Sequence, residues 1–248
     1  MGERAKVIND GLDAIMHMML VITGYVMKVA PFAVFAAIAS SIAVEGLGIL
    51  VTFGKFVGGF YLALAVLWLF LLGAGAFVLG FGEVRRLIPE IREPFLITFA
   101  TASSEAAYPK LLASLERYGV PGRIASFVLP LGYSFNLDGS MMYCAFASIF
   151  IAQAYGIDLS LGQELAMLGL LMITSKGIAG VPRASLVVIA ATLPYFNIPE
   201  AGLLLILAVD HFLDMGRSAT NVIGNAVATA VIAKWDAGAD QPEPAAQK

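Results

Sequence analysis

Apolar positions along this chain come in long runs, interrupted at a few short polar points. Ile15 to Val44 is mostly apolar with Lys28 its only fixed charge, and "VAP" at Val29 to Pro31 predicts a kink or turn. About 20 such residues cross a bilayer, so this is a first span. "EGLG" at Glu45 to Gly48 is a turn, and a second span follows over roughly Gly54 to Gly80. Gly73, Gly75 and Gly80 alternate there with Ala and Leu, which suits close helix packing in lipid.

Beyond Gly80 the pattern changes. Only about eleven uncharged residues, Pro94 to Ser104, lie between charged flanks, too few to span. They predict a re-entrant hairpin that turns at the small polar "TASSEA", with Ser103 and Ser104 at its tip. Ile124 to Gly156 is long enough to span but is broken at "NLDGS"; the helix is expected to unwind there and resume at Met141. "LAMLGLLMITSKGIAGVPRASLVVIAATL" repeats the hairpin logic, two short apolar arms around a Gly-Pro-Ser tip. A last span, about Leu203 to Ile232, has a polar middle, and "WDAGADQPEPAAQK" is a polar tail without a packing signal. Paired interrupted segments in corresponding positions point to a transporter's binding site. Non-helical backbone at membrane depth survives only where protein buries it or it lines a watery cavity.

Composition agrees. Of 248 residues, 59% are hydrophobic and 13% charged, against about 25% charged in an ordinary soluble domain. The chain is an integral membrane protein. A net charge of −3 gives no reason to expect nucleic acid or another charged macromolecule. The single Cys144 excludes an internal disulfide, and with only His17 and His211 a zinc site is not expected. The start lacks a small-residue cleavage site and does not read as a cleaved signal.

With the amino terminus placed in the cytoplasm, ten of the fifteen Lys and Arg residues fall inside, and "AVEGLG", "AYGIDLSLGQE" and "PYFNIPEAG" outside carry none. The positive-inside rule supports that orientation, with both termini cytoplasmic. It opens the first hairpin inward and the second outward, an inverted arrangement suited to two-sided access. The expected fold is therefore an all-α membrane protein: transmembrane helices, two oppositely oriented re-entrant hairpins and a broken helix in an inverted repeat. Residues 1–53 form a scaffold-type helix and loop, 54–234 the transport core and 235–248 a cytoplasmic tail.

The last span carries the chemistry. Asp210 and Asp214 are four apart, Arg217 follows by three, and Asn221 continues that helical face, with Asn225 a turn further. A charge at a helix centre costs at least ~2.5–3.5 kcal/mol in a membrane. A structural Asp214–Arg217 pair sealing the bundle is the plain explanation; the neighbouring broken helices favour a ligand site instead. Arg217 is suited to hold a carboxylate bidentately and Asp214 an ammonium, while hairpin-tip hydroxyls and amides take a second carboxylate. The implied ligand is an acidic amino acid. Lys28 is expected to snorkel, His211 to be a satisfied interior residue and Cys144 to pack.

"FNLDGS", "SKGIAGVP" and "DMGRSATNVIGN" resemble the signatures of the dicarboxylate/amino acid:cation symporter family, the glutamate and aspartate transporters. The motifs occur in order and cover the chain up to its tail. The resemblance implies a bacterial inner-membrane carrier, no enzyme and no cofactor beyond a coupling proton or sodium ion, and a homotrimer for the full-length member. It implies that Ser103, Ser104 and Val181 contact the substrate's main carboxylate. Asp214 would take its amino group, Arg217 its side-chain carboxylate, and Ser218 and Asn221 would complete the shell. The second hairpin would be the extracellular gate. Gly132, Ser134, Asn136, Asp138, Ser175, Ile178 and Asn225 would form the cation region.

Four departures matter. Sodium-coupled members carry Asp where this chain has Asn225, which makes proton coupling plausible. Dicarboxylate carriers resemble it at Asn225 but lack the acid at Asp214, which favours an amino acid; a four-carbon dicarboxylate:proton symporter is the alternative. Arg183 replaces a glycine often found beside the second tip. Family members have eight spans, and this chain is expected to begin at the fifth, without most of the oligomerisation scaffold. Residues 1–248 alone are accordingly expected to be poorly stable and inactive in transport, with weak substrate binding surviving, or to be a non-transporting remnant. An intramembrane aspartyl protease is the enzyme-class rival, but its Gly-x-Gly-Asp signature is missing around Asp138 and Asp214. Neither histidine sits in a motif that would activate Ser103 or Ser104 as a nucleophile.

Overall fold

The computed structural model describes residues 49–177 and 183–239 and scattered positions between 11 and 48. Most of the first predicted span, the second tip at 178–182 and residues 240–248 lie outside the described residues. Residues 1–49 and 50–248 form two compact units. In the first, described positions from Gly11 to Ala43 are helical, and the expected turn is present at Leu47 and Gly48. Lys28 sets its ammonium 5.0 Å from the centre of the Tyr25 ring.

The second unit is helical, with no strand among the described residues. Its helices are α1 (Ile49–Leu79), α2 (Phe81–Thr101), α3 (Tyr108–Tyr118), α4 (Gly122–Phe135), α5 (Asp138–Ala154), α6 (Leu161–Thr174), α7 (Ala184–Thr192), α8 (Leu203–Leu207) and α9 (Asp210–Ala239). By length and composition α1 and the α4–α5 stretch, Gly122–Ala154, are able to cross a membrane.

Hydrogen bonds fix how the helices run. Tyr61 and Trp68 of α1 donate to the Phe212 carbonyl (2.6 Å) and the Thr220 hydroxyl (2.7 Å). Lys234 donates to the carbonyls of Val78 and Leu79 at 2.8 and 3.3 Å. Partners rise together in number, so α1 and α9 are parallel, and the Lys234 ammonium satisfies end carbonyls that α1 itself leaves open. From Arg123–Asp236 through Asn136–Asn225 to Tyr143–Asp210 the order reverses, so α4 and α5 run antiparallel to α9. Lys110–Glu93 and Arg117–Glu90 likewise set α3 antiparallel to α2.

Packing follows helical spacing. Phe53, Phe56, Phe60 and Leu64 form the buried stripe of α1, while Leu62, Leu69, Phe70 and Phe77 are exposed. The Phe56 ring stacks on Phe150, centroids 4.0 Å apart. Lipid is as apolar as these side chains, so fit rather than apolar burial holds such helices together. At Gly75 a Cβ would stand 2.9 Å from Val227, and the missing side chain lets α1 approach α9.

Several boundaries differ from the sequence expectation. The α2 helix begins at Phe81 and carries Pro89 and Pro94 inside it, because its charges share an exposed face opposite Val84, Leu87 and Ile91. The break between α4 and α5 is only Asn136 and Leu137, and helix resumes at Asp138 rather than Met141. The last span is divided at Ala208 and Val209. Its helix runs on to Ala239, and Asp236, in the predicted tail, pairs with Arg123 at 2.5 Å.

Candidate substrate and cation site

The α9 helix carries a continuous buried polar stripe. Asp210, Asp214, Arg217, Ser218, Thr220, Asn221, Asn225 and Thr229 are all 1% exposed or less. The pair expected from the three-residue spacing is made: Arg217 Nε donates to Asp214 Oδ1. Its Nη1 donates to the Ser140 hydroxyl at 3.0 Å.

The broken helix meets this stripe at its break. Leu137, which precedes α5, offers no side-chain cap to the opening amides of that helix. Asn221 supplies it from across the interface, its Oδ1 accepting from the Gly139 N–H at 2.9 Å and the Ser140 N–H at 3.4 Å. Its Nδ2 donates to the Ser140 hydroxyl at 3.1 Å. Approach is so close that a Cβ on Gly139 would collide with the Arg217 carbonyl oxygen. One on Gly224 would meet Asp138 Oδ2, and one on Gly132 would meet Asn225 Oδ1.

The first tip, and Arg183 from the other hairpin, bear on the same stripe. At the first, Ala102 takes a left-handed conformation (φ 52°), and its carbonyl accepts the Ser218 hydroxyl at 3.1 Å. Ser103 and Ser104 follow, both buried. The Ser104 carbonyl accepts from Tyr133, and its hydroxyl has no hydrogen-bond partner among the described residues. On the other side the Arg183 N–H donates to Asp214 Oδ2 at 2.8 Å. Val181 and Ile178 lie outside the described residues.

Of the predicted cation region, Gly132, Asn136, Asp138 and Asn225 come together. Asn136 Nδ2 donates to Asn225 Oδ1 at 3.3 Å. Asp138 Oδ2 and Asn225 Nδ2 are buried without a hydrogen-bond partner among the described residues. Buried polar atoms are rarely left this way, and a buried carboxylate oxygen is the kind of hard ligand a cation takes. Ser134, whose backbone oxygen the resemblance assigns to the cation, has an exposed side chain that donates back to the Pro130 carbonyl. The buried Ser175 donates to the Met172 carbonyl, while Lys176 beside it donates to the Phe135 carbonyl, at the break, at 2.7 Å. A cleft of about 650 Å³ between α4 and α9 is lined by Phe127, Leu131 and Ile232, with Asn136, Asn225 and the Arg123–Asp236 pair as polar members.

Ser140 and Tyr143 had no role assigned from the sequence, and Arg183 was noted there only as a departure beside the second tip. Ser140 closes the "NLDGS" motif and receives both Arg217 and Asn221. Tyr143 donates to Asp210 at 2.5 Å. Arg183 contacts both carboxylates of the stripe. Ser140 was within reach as the last residue of a noted motif; Tyr143 and the contacts of Arg183 become visible only through tertiary structure. Cys144 is buried, its thiol 3.9 Å from the Ser185 carbonyl, in keeping with a packing role.

A profile of the sodium:dicarboxylate symporter family matches residues 1–235. The "Proton/sodium-glutamate symport protein" of Bacillus subtilis (strain 168) is 41% identical over 235 residues, 95% of this chain and 54% of that protein. The "C4-dicarboxylate transport protein" of Cupriavidus pinatubonensis is 44% identical over 243 residues, 98% of this chain and 56% of that protein. That of Laribacter hongkongensis is 42% identical over 248 residues, 100% of this chain and 56% of that protein. The chain thus spans about half the length of the curated relatives it matches. The conclusion from buried polar stripe, helix break and sequence match is that this chain belongs to the sodium:dicarboxylate symporter family.

Proposed function

We propose that this chain carries the substrate and cation sites of a cation-coupled carrier that takes up acidic amino acids, glutamate or aspartate, across the bacterial inner membrane. Arg217 holds the distal carboxylate and Asp214 the ammonium; Ser103, Ser104, Ser218 and Asn221 surround the rest, with Val181 on the second tip. The observation that carries this reading is the fully buried Asp214–Arg217 pair, set where the helix break, the Ala102 turn and Arg183 converge. A pair of opposite charges matches an amino acid with a second carboxylate.

The coupling cation is assigned to Gly132, Asn136, Asp138 and Asn225, with Ser134, Ser175 and Ile178 carried only by the family resemblance. The two hairpins are read as re-entrant from opposite faces, with both termini cytoplasmic. In support, Ala102 reaches Ser218 in mid-helix from an α2 base near Lys234, whereas Arg183 follows α5, which ends beyond Asp210. The 1–53, 54–234 and 235–248 division, a homotrimer for the full-length architecture and contact of the exposed α1 face with lipid belong to the same proposal. A four-carbon dicarboxylate carrier is the second reading, favoured by the amide at Asn225 and the names of the dicarboxylate relatives.

Ligand selectivity in two variants tests the assignment. Removing one partner of a buried charged hydrogen bond costs ~2–5 kcal/mol, a factor of about thirty or more. Arg217→Cys should lose aspartate and glutamate and admit neutral amino acids. Asp214→Ser should lose aspartate while retaining more of its succinate affinity. Equal losses for succinate and aspartate in Asp214→Ser, together with no gain of neutral ligands in Arg217→Cys, would remove the assignment.

A further inference from the structure

Arg183 stands at the start of α7 with φ 65°, and its guanidinium reaches inward over the carboxylate stripe. Its Nε lies 3.4 Å from Asp210 Oδ2, while its own N–H donates to Asp214 Oδ2 at 2.8 Å. Asp210 is fully buried and the Arg183 side chain one-third exposed. Asp214 Oδ1 is taken by Arg217 and Asp210 Oδ1 by Tyr143. Two buried carboxylates one turn apart thus face two guanidinium groups, one from within α9 and one from α7.

That count decides which ligands are tolerated. Two carboxylates facing Arg217 alone leave a surplus negative charge. A ligand that brings an ammonium compensates it; a dicarboxylate without an amino group brings only more of the same sign, and like charges brought together in a desolvated site repel strongly. With Arg183 on Asp210, the carboxylates are matched one for one before any ligand arrives. We propose that Arg183 is a specificity-determining residue: it neutralises Asp210 in place of a substrate ammonium, so the site accepts dicarboxylates as well as acidic amino acids. This inference rests on the substrate site described under Proposed function.

The test is equilibrium binding of labelled aspartate and labelled succinate to the full chain in lipid nanodiscs. Arg183→Gly preserves the left-handed backbone and the N–H while deleting the charge; Arg183→Gln deletes the charge but keeps a polar side chain; Arg183→Lys restores it. The succinate-to-aspartate affinity ratio is expected to fall about tenfold or more in both neutral variants and to recover to within about threefold in Arg183→Lys. A ratio unchanged in either neutral variant, or no recovery with lysine, overturns the role of charge at Arg183 and leaves the substrate site standing. Absence of saturable binding of either ligand by the unsubstituted chain overturns the substrate site itself, and this inference with it.

Discussion

Asn225 puts an amide where the proposed cation site calls for oxygen. Its Oδ1 is already shared with Asn136, and its Nδ2 is buried with no hydrogen-bond partner among the described residues. An amide supplies one oxygen and no formal charge, whereas a carboxylate supplies two oxygens and the charge that compensates sodium. Asn225→Asp is therefore expected to bind sodium about tenfold or more tightly than the parent. Without sodium it should be destabilised by about 3 kcal/mol, the cost of an unpaired buried charge. Sodium should then raise its melting temperature more than it raises the parent's, because a ligand that binds only the folded state stabilises it. Thermal unfolding against sodium concentration checks this; identical sodium dependence in the two proteins would argue against a cation at Asn225. Of the residue chemistry, the polar face of α9 was legible because periodicity alone puts Asp210, Asp214, Arg217 and Asn221 together. Arg183 stood out only as a departure; its role was not legible, since its partners lie about thirty residues away and no local pattern announces them.

The break between α4 and α5 depends on α9 lying almost in contact with it. Gly139 has the Arg217 carbonyl where a side chain would begin, and the Thr220 Cβ would be 2.7 Å away. Neither neighbour is a flexible side-chain end that swings aside cheaply. Gly139→Ala is expected to push the two helices apart, costing ~1–3 kcal/mol, and to weaken the Asn221 bonds to the Gly139 and Ser140 amides. The measurement is thermal stability together with ligand affinity. Gly82→Ala serves as the comparison, since no atom lies within 4 Å of a Cβ there. If Gly139→Ala matched Gly82→Ala in both, the close approach would be irrelevant to the site. The sequence announced a break here through "NLDGS" but overestimated its length. Asn221 satisfies the first α5 amides from another helix, so the helix restarts at Asp138 without a cap of its own. Likewise the α2 boundary was placed late, because a window of uncharged residues misses a helix whose charges sit on one exposed face.

Large apolar side chains stand exposed along α1, while α9 buries a polar stripe beside an apolar core that includes Leu87, Leu111 and Leu129. Phe77 of α1 is 92% exposed, while Asp210, Asp214 and Ser218 are fully buried. Water would penalise so large an exposed apolar face; a bilayer accommodates it. The all-helical class, the membrane solvent and the order of broken elements were legible in the chain, since each follows from run length and from where polar residues interrupt it. How the first tip meets α9 was not, because it depends on contacts between segments more than a hundred residues apart, as between Ser218 and Ala102. In the proposed function these elements build one site in which an acidic ligand and a cation bind together. An equilibrium isotherm of labelled aspartate on chain 1–248 in nanodiscs, repeated across pH and sodium concentration, tests it most directly. Saturable binding that glutamate displaces and lysine does not, and that strengthens with proton or sodium concentration, is the predicted result. No saturable binding, or binding indifferent to both cations, would contradict it.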